Sequence, residues 1–116
     1  MKVLILEDDR NRIDLFMAKF HAYDTYVTGN VYQAIDYLKD NTFDCIFLDH
    51  DLGEHNGCGM DLVTYLYNNP NNLNNDAIII IHSWNIVAAS SMKNVLPQAI
   101  CAPFNGEVFL NLGLDK

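Results

Sequence analysis

The chain has 116 residues, half of them hydrophobic, and carries fifteen Asp or Glu against seven Lys or Arg, a formal net charge of −8. That balance argues against sequence-independent binding to a nucleic-acid backbone, which needs clustered cations. The length predicts one domain over residues 1–116, built on a single sizeable core. Three cysteines, Cys45, Cys58 and Cys101, form an odd set without zinc-type spacing and read as buried free thiols of a reducing compartment. The N-terminal run Met1 to Leu6 reaches acids after only four apolar residues, so neither a signal peptide nor a membrane span is expected, and a cytoplasmic location is predicted.

In chain order, Lys2 to Leu6 reads as a buried strand closed by Glu7-Asp8-Asp9. Ile13, Phe16, Met17 and Phe20 follow at helical spacing, with Arg10, Arg12 and Lys19 available for the wet face. Thr25 to Thr28 reads as a short second strand broken by Gly29-Asn30. Val31, Ala34, Ile35 and Leu38 mark a second amphipathic helix, ended by Lys39-Asp40-Asn41. Cys45-Ile46-Phe47-Leu48 is a continuous apolar run, the pattern of a strand covered on both faces. It stops in Asp49-His50-Asp51 and enters a loop with Gly53, Gly57 and Gly59. Met60, Leu62, Val63, Leu66 and Tyr67 make the next helix, and Pro70 to Asp76 is a polar loop. Ala77 to Ile81 is the most strand-like run, being β-branched and unbroken by polar residues; it ends in His82-Ser83-Trp84-Asn85. Ala88, Ala89, Met92, Val95 and Leu96 form the fourth helix, which Pro97 stops. Ala99 to Ala102 is a short fifth strand. Pro103-Phe104-Asn105-Gly106 then turns into a brief last helix carrying Val108, Phe109 and Leu112.

Strands alternating with helices imply an α/β fold with a parallel sheet wrapped on both faces, because parallel crossovers need helices. In such sheets ligands sit outside the carboxyl ends of the strands. The first, third and fourth strands deliver Glu7-Asp8-Asp9, Asp49-His50-Asp51 and His82-Ser83 to that edge. Singly, each group has a structural explanation: Asp8 or Asp9 as a helix cap, His82 as a hydrogen-bonded core histidine, Ser83 or Asn85 as a cap of the fourth helix. Together they point to a cleft, since clustered carboxylates repel unless a cation or shared protons compensate. Alternation along an extended chain predicts that Asp49 and Asp51 both face it, with His50 between them.

The order strand, acidic pair, helix, strand ending in aspartate, hydrophobic strand with a small polar residue, then Pro-Phe, resembles the receiver domain of two-component response regulators over nearly the whole chain. That resemblance implies a flavodoxin-like, three-layer α/β/α fold with a five-stranded parallel sheet in the order 2-1-3-4-5. It implies Asp8 and Asp49 as metal ligands, with Asp49 also the phosphoacceptor position and Asp51 completing the metal site through its backbone carbonyl. His82 falls where receivers carry a switch threonine or serine, and Ala102 where they carry an invariant lysine. The pair Leu48-Asp49-His50-Asp51-Leu52-Gly53 and Ile81-His82-Ser83-Trp84-Asn85 is similar to the divergent branch called cyclic-phosphate-processing receiver domains. That implies a metal-dependent phosphoesterase acting on cyclic phosphates of nucleotides or RNA ends.

The residues allow such chemistry. A divalent metal on Asp8 and Asp49 would polarise phosphate and acidify bound water. His50 and His82 would divide base and acid duties, since histidine titrates near neutrality. Ser83 and Asn85, or amides opening the fourth helix, would hold a phosphate oxygen of a small phosphorylated substrate. Oxygen ligands favour Mg²⁺ or Mn²⁺. Two other readings stay open: a non-catalytic receiver-like binding module, and a phosphoacceptor receiver with Asp49 as acceptor.

Overall fold

The structure, a computed structural model, describes residues 1–70 and 72–102. The turn expected at Pro103 and the last helix with Val108, Phe109 and Leu112 lie outside the described residues. The elements are β1 (Lys2–Leu6), α1 (Arg10–Phe20), β2 (Asp24–Thr28), α2 (Val31–Asp40), β3 (Cys45–Leu48), α3 (Gly59–Asn68), β4 (Ile78–Ile81), α4 (Ile86–Val95) and β5 (Ile100–Cys101). The strands form one sheet in the order β2-β1-β3-β4-β5, every pairing parallel. Both architecture and strand order are those expected from the sequence.

Local chemistry sets the helix starts. Asp9 accepts from the Arg12 amide at 3.0 Å to cap α1, and Asn30 and Asn85 cap α2 and α4 in the same way. Each satisfies an amide that the first turn would leave orphaned. In α3 the Asp61 carboxylate reaches back to the Cys58 amide at 2.9 Å. The polar stretch after Pro70 is more than a solvated loop. Asn74, 2% exposed, accepts from the Phe43 amide and donates to the carbonyls of Leu38 and Asn41, tying the loop to the end of α2.

Alternation along the central strands divides the core into two halves. Leu4, Leu6, Ile46, Leu48, Ile79 and Ile81 pack with Val31, Leu38, Leu62 and Met92 on the face covered by α2, α3 and α4. Val3, Ile5, Cys45, Phe47 and Ile80 pack with Phe16 and Phe20 of α1 on the other. Phe16 is fully buried, its ring edge-on to Phe47 at 5.1 Å between centroids. Burying a side chain of that size is worth about 3–5 kcal/mol against alanine.

Some apolar positions lie outside the expected stripes. Met17 is 40% exposed and Tyr67 64%, because each helix meets the sheet along a narrower line than its apolar periodicity suggests. Only Cys45 is a buried thiol, pushed up to about 12 by burial and then by the charge of Asp44; Cys58 is half-buried and Cys101 exposed. Among the described residues no helix is long and apolar enough to cross a membrane.

Candidate functional site

Register builds the site. Leu6 pairs with Leu48, and Leu48 with Ile81, so β1, β3 and β4 end level with one another. The ladder runs one residue further: the Asp49 amide donates to the Leu6 carbonyl at 3.0 Å and the His82 amide to that of Leu48 at 2.9 Å. Glu7, Asp49 and His82 therefore occupy equivalent positions. They also continue the parity of Ile5, Phe47 and Ile80, which turns them toward the α1 side of the sheet. All three are buried, at 0%, 4% and 1% exposure.

Glu7 is the hub. Its Oε2 accepts from the amides of Asp8 and Asp9 at 3.0 and 3.1 Å and from Arg12 Nη2 at 3.2 Å. Its Oε1 lies 3.0 Å from His82 Nε2 and makes a 2.9 Å charge contact with Arg12 Nε. Burial alone would raise the Glu7 pKa. The His82 hydrogen bond, the Asp9 amide and the charges of His82 and Arg12 override it and bring the carboxyl down to about 2. An ionised Glu7 only accepts, so the His82 Nε2 carries the proton between them. The imidazole is further enclosed by Phe16 and Phe47, edge-on at 5.1 and 6.3 Å. The hydrogen-bonded core setting considered for His82 is thus its actual setting, in contact with the acidic cluster.

Arg12 corrects the sequence reading that made it available for the wet face of α1. Its side chain is 22% exposed and turns inward, with Nη2 3.4 Å from Asp49 Oδ2 as well as contacting Glu7. One turn of helix carries it from the Asp9 cap back over the strand ends, where two carboxylates draw the guanidinium in. Its pKa rises because Glu7 and Asp49 outweigh the burial that alone would lower it. A cation near the acidic cluster was inferable in principle, since Ala102 offers none; Ala102 packs half-buried against the α1-side core.

Asp49 remains undercompensated. Burial, then the negative charge of Glu7, raise its pKa to about 6, against the lowering influence of His82, the His50 amide and Arg12. Asp8 is exposed at the same edge, its pKa also raised by burial and by Glu7. Asp49 and Asp51 do not share a face as alternation predicted. β3 ends at Leu48, and Asp51 instead makes an isolated antiparallel bridge with Cys58. Its exposed carboxylate lies 2.8 Å from His50 Nδ1, and the His50 ring is 23% exposed. Ser83, 3% exposed, accepts from the Asn85 amide at 3.1 Å, and Asn85 caps α4. The structure thus gives both residues the turn and cap roles that the sequence had offered as their structural alternative.

The residues fit a divalent cation, though not through the most compact group. Glu7, Asp49 and His82 each present a ligand atom within 4.8 Å of the others. Glu7 already accepts three hydrogen bonds at Oε2 and faces His82 Nε2 at Oε1, so a metal on these atoms would compete with the pairs that hold the cluster. Asp49 is less committed: Oδ1 takes the His50 amide at 2.8 Å, and Oδ2 has Arg12 at a long 3.4 Å. Three carboxylates, Glu7, Asp8 and Asp49, against one guanidinium leave net negative charge that a hard cation would relieve. The cavity of about 400 Å³ lined by Leu38, Tyr65, Asn69 and Leu73 lies at the helix C-termini, the opposite sheet edge, and has no part in this cluster.

Comparison with solved structures places this architecture among receiver domains. The non-phosphorylated HemR receiver domain from Leptospira biflexa matches with a TM-score of 0.74 and 20% identity, over 94% of this chain and 87% of that one. The BeF3-activated DrrB receiver domain matches with a TM-score of 0.71 and 14% identity, over 94% and 90%. The Mn²⁺-bound form of response regulator Rcp1 matches with a TM-score of 0.68 and 15% identity, over 88% and 78%. No match was found among curated proteins. The fold is therefore that of a response-regulator receiver. The family model described as "Cyclic-phosphate processing Receiver domain" matches residues 2–98, and the chain belongs to that family.

Proposed function

We propose that this receiver domain is a metal-assisted phosphoesterase that opens cyclic phosphates of nucleotides or RNA ends. The observation that carries the reading is the His50–Asp51 pair, 2.8 Å apart, immediately following the buried, undercompensated Asp49. A carboxylate on Nδ1 fixes the tautomer and orientation of an imidazole and favours proton transfer at the other nitrogen. Asp8, Asp49 and the Asp51 backbone carbonyl would hold Mg²⁺ or Mn²⁺, which when bound supplies charge neutralisation on the phosphoryl oxygens and a more acidic water.

In this reading His50 takes the proton of the attacking water as the new P–O bond forms. The ring P–O bond breaks, and the protonated His50 returns that proton to the released ribose oxygen, leaving a phosphomonoester and the imidazole neutral again. Arg12 supplies the fixed cation that Ala102 does not, held in place by Glu7. His82 is a positioning residue: it acts through Glu7, which orients Arg12, a role suited to a ring that is 1% exposed. The Ser83 hydroxyl and the Asn85 amide group are the donors assigned to phosphate oxygens. The test is a panel of 2′,3′-cyclic mononucleotides, RNA ends and cyclic oligonucleotides, incubated with Mg²⁺ or Mn²⁺ and followed for ring opening. Absence of turnover across the panel by folded, metal-binding protein removes the reading.

The receiver fold itself favours a second reading, in which Asp49 accepts a phosphoryl group. Incubation with a small phosphodonor separates the two: a stable phosphate-sized mass increase, abolished in Asp49→Asn, supports signalling over hydrolysis.

A further inference from the structure

Trp84 stands two residues beyond His82 and is 64% exposed, the one tryptophan in the chain. Its ring centroid lies 5.6 Å from the Arg12 guanidinium carbon, and the same guanidinium reaches Asp49 at 3.4 Å. One side chain therefore spans the interval between an exposed indole and the carboxylate at the centre of the site. The indole sits on a short, well-tied turn. Ser83 Oγ accepts from the Asn85 amide, and Asn85 Oδ1 accepts from the Ala88 amide at 3.0 Å. Ile86 and Val87, 76% and 78% exposed, continue the apolar surface into the first turn of α4.

An exposed indole beside a phosphate-directed site suits a planar, uncharged ring covalently attached to that phosphate. Every nucleobase offers such a face, and stacking on an aromatic side chain tolerates all of them. The chain's net charge of −8 disfavours a long polyanion across this surface and favours a single terminal nucleotide. We infer that Trp84 is the nucleobase platform of the site, stacking the base of a mononucleotide or terminal nucleotide whose phosphate lies toward Asp49. This rests on the phosphoesterase reading for the position of the phosphate but makes a separate claim, that the substrate carries a base.

The experiment compares phosphomonoesters that no ring-opening step can consume. Uridine 3′-monophosphate and adenosine 3′-monophosphate are titrated against base-free glycerol 2-phosphate, each with Mg²⁺, by calorimetry and by tryptophan fluorescence. Because Trp84 is the sole tryptophan, any indole quenching reports on this position. Both nucleotides are expected to quench it and to bind about tenfold or more tighter than glycerol 2-phosphate, the span expected of one stacked base. Trp84→Ala should bring nucleotide affinity down to the base-free level, while Trp84→Phe keeps most of the preference; melting curves verify that both variants fold. Nucleotides that bind no tighter than glycerol 2-phosphate, or a preference that survives in Trp84→Ala, overturn the inference. Ring opening of glycerol 1,2-cyclic phosphate, assayed alongside, tests the chemistry without the base. Turnover there with no nucleotide preference keeps the phosphoesterase reading and rejects the platform. Nucleotide-selective binding with no turnover of any cyclic phosphate does the reverse.

Discussion

Glu7 Oε1 and His82 Nε2 lie 3.0 Å apart, both residues at most 1% exposed, although seventy-five positions separate them in the chain. This contact joins the end of β1 to the end of β4 across β3, and it fixes the carboxylate on which Arg12 leans. Removing the charge of Glu7 leaves a guanidinium and an imidazole facing each other in a desolvated site. Glu7→Gln should therefore lower unfolding free energy by about 3–5 kcal/mol, as breaking one side of a buried pair does. Urea denaturation at neutral pH measures it, and a loss below about 1 kcal/mol would mean that Arg12 and His82 are held by other groups.

Two carboxyl groups give stability opposite slopes with pH. The Glu7 pKa is depressed to about 2, so its contribution is complete above the ordinary carboxylate range and is lost as pH falls from about 4.5 through about 2. The Asp49 pKa is raised to about 6, so the folded state holds a proton that the unfolded chain releases from pH 3.8 upward. Metal-free protein should consequently lose stability as pH rises from about 4 to about 6 through Asp49. Melting temperatures across that range should show the decline in the wild type and a flatter profile in Asp49→Asn; identical profiles would contradict the assignment.

Mg²⁺ or Mn²⁺ should raise the melting temperature, because a cation bound to the native acidic cluster and not to the unfolded chain stabilises by mass action, about 2.7 kcal/mol at a hundredfold excess over Kd. Asp8→Asn and Asp49→Asn should each weaken the response. Without metal, both variants should be as stable as the wild type or more so, since carboxylate repulsion is relieved. An undiminished metal response in both would move the ion elsewhere.

The two histidines should behave differently when removed. His50→Ala should lower kcat by about 10²–10⁴-fold with little change in melting temperature, the signature of a half-exposed acid–base group. His82→Ala should destabilise the fold by about 2–4 kcal/mol, since it empties a site lined by Phe16 and Phe47 and strips Glu7 of a partner. Activity that falls in His82→Ala without loss of stability would return the acid–base role to His82. Ser83→Ala should cost activity less than either, as a single neutral hydrogen bond is worth about 1 kcal/mol.

Gly59, the first residue of α3 and not a loop residue as its sequence context suggested, lets that helix start close against the site: a Cβ there would clash with the Asp49 carbonyl oxygen and stand 2.8 Å from Met92 Cε. Gly59→Ala must push the start of α3 away from the strand end. The expected cost is about 1–3 kcal/mol, as for other overpacked positions, together with weaker metal response through displaced Asp49. Unchanged melting and metal titration would show that the start of α3 relaxes freely.

The elements among the described residues, and their order, were legible in the amino-acid sequence. Short unbroken apolar runs, Cys45 to Leu48 and Ile79 to Ile81, bounded by polar turns, form doubly covered strands, and Asp9, Asn30 and Asn85 cap helices through bonds within three residues. These are local effects, carried by neighbours in the chain. Strand order followed from a resemblance in motifs and brought three strand ends to one edge. Which polar side chains share the interior of that edge depended on the packed sheet. The level ends of β1, β3 and β4 put Glu7, Asp49 and His82 at one parity, so that Glu7 became the hub and His82 its partner. Helical periodicity left Arg12 available to water, but two carboxylates from β1 and β3 bring it inward. Alternation paired Asp49 with Asp51, but the strand ended first and the bridge to Cys58 turned Asp51 toward His50. Each of these outcomes depends on a through-space charge or a strand register, quantities that no stretch of contiguous sequence contains.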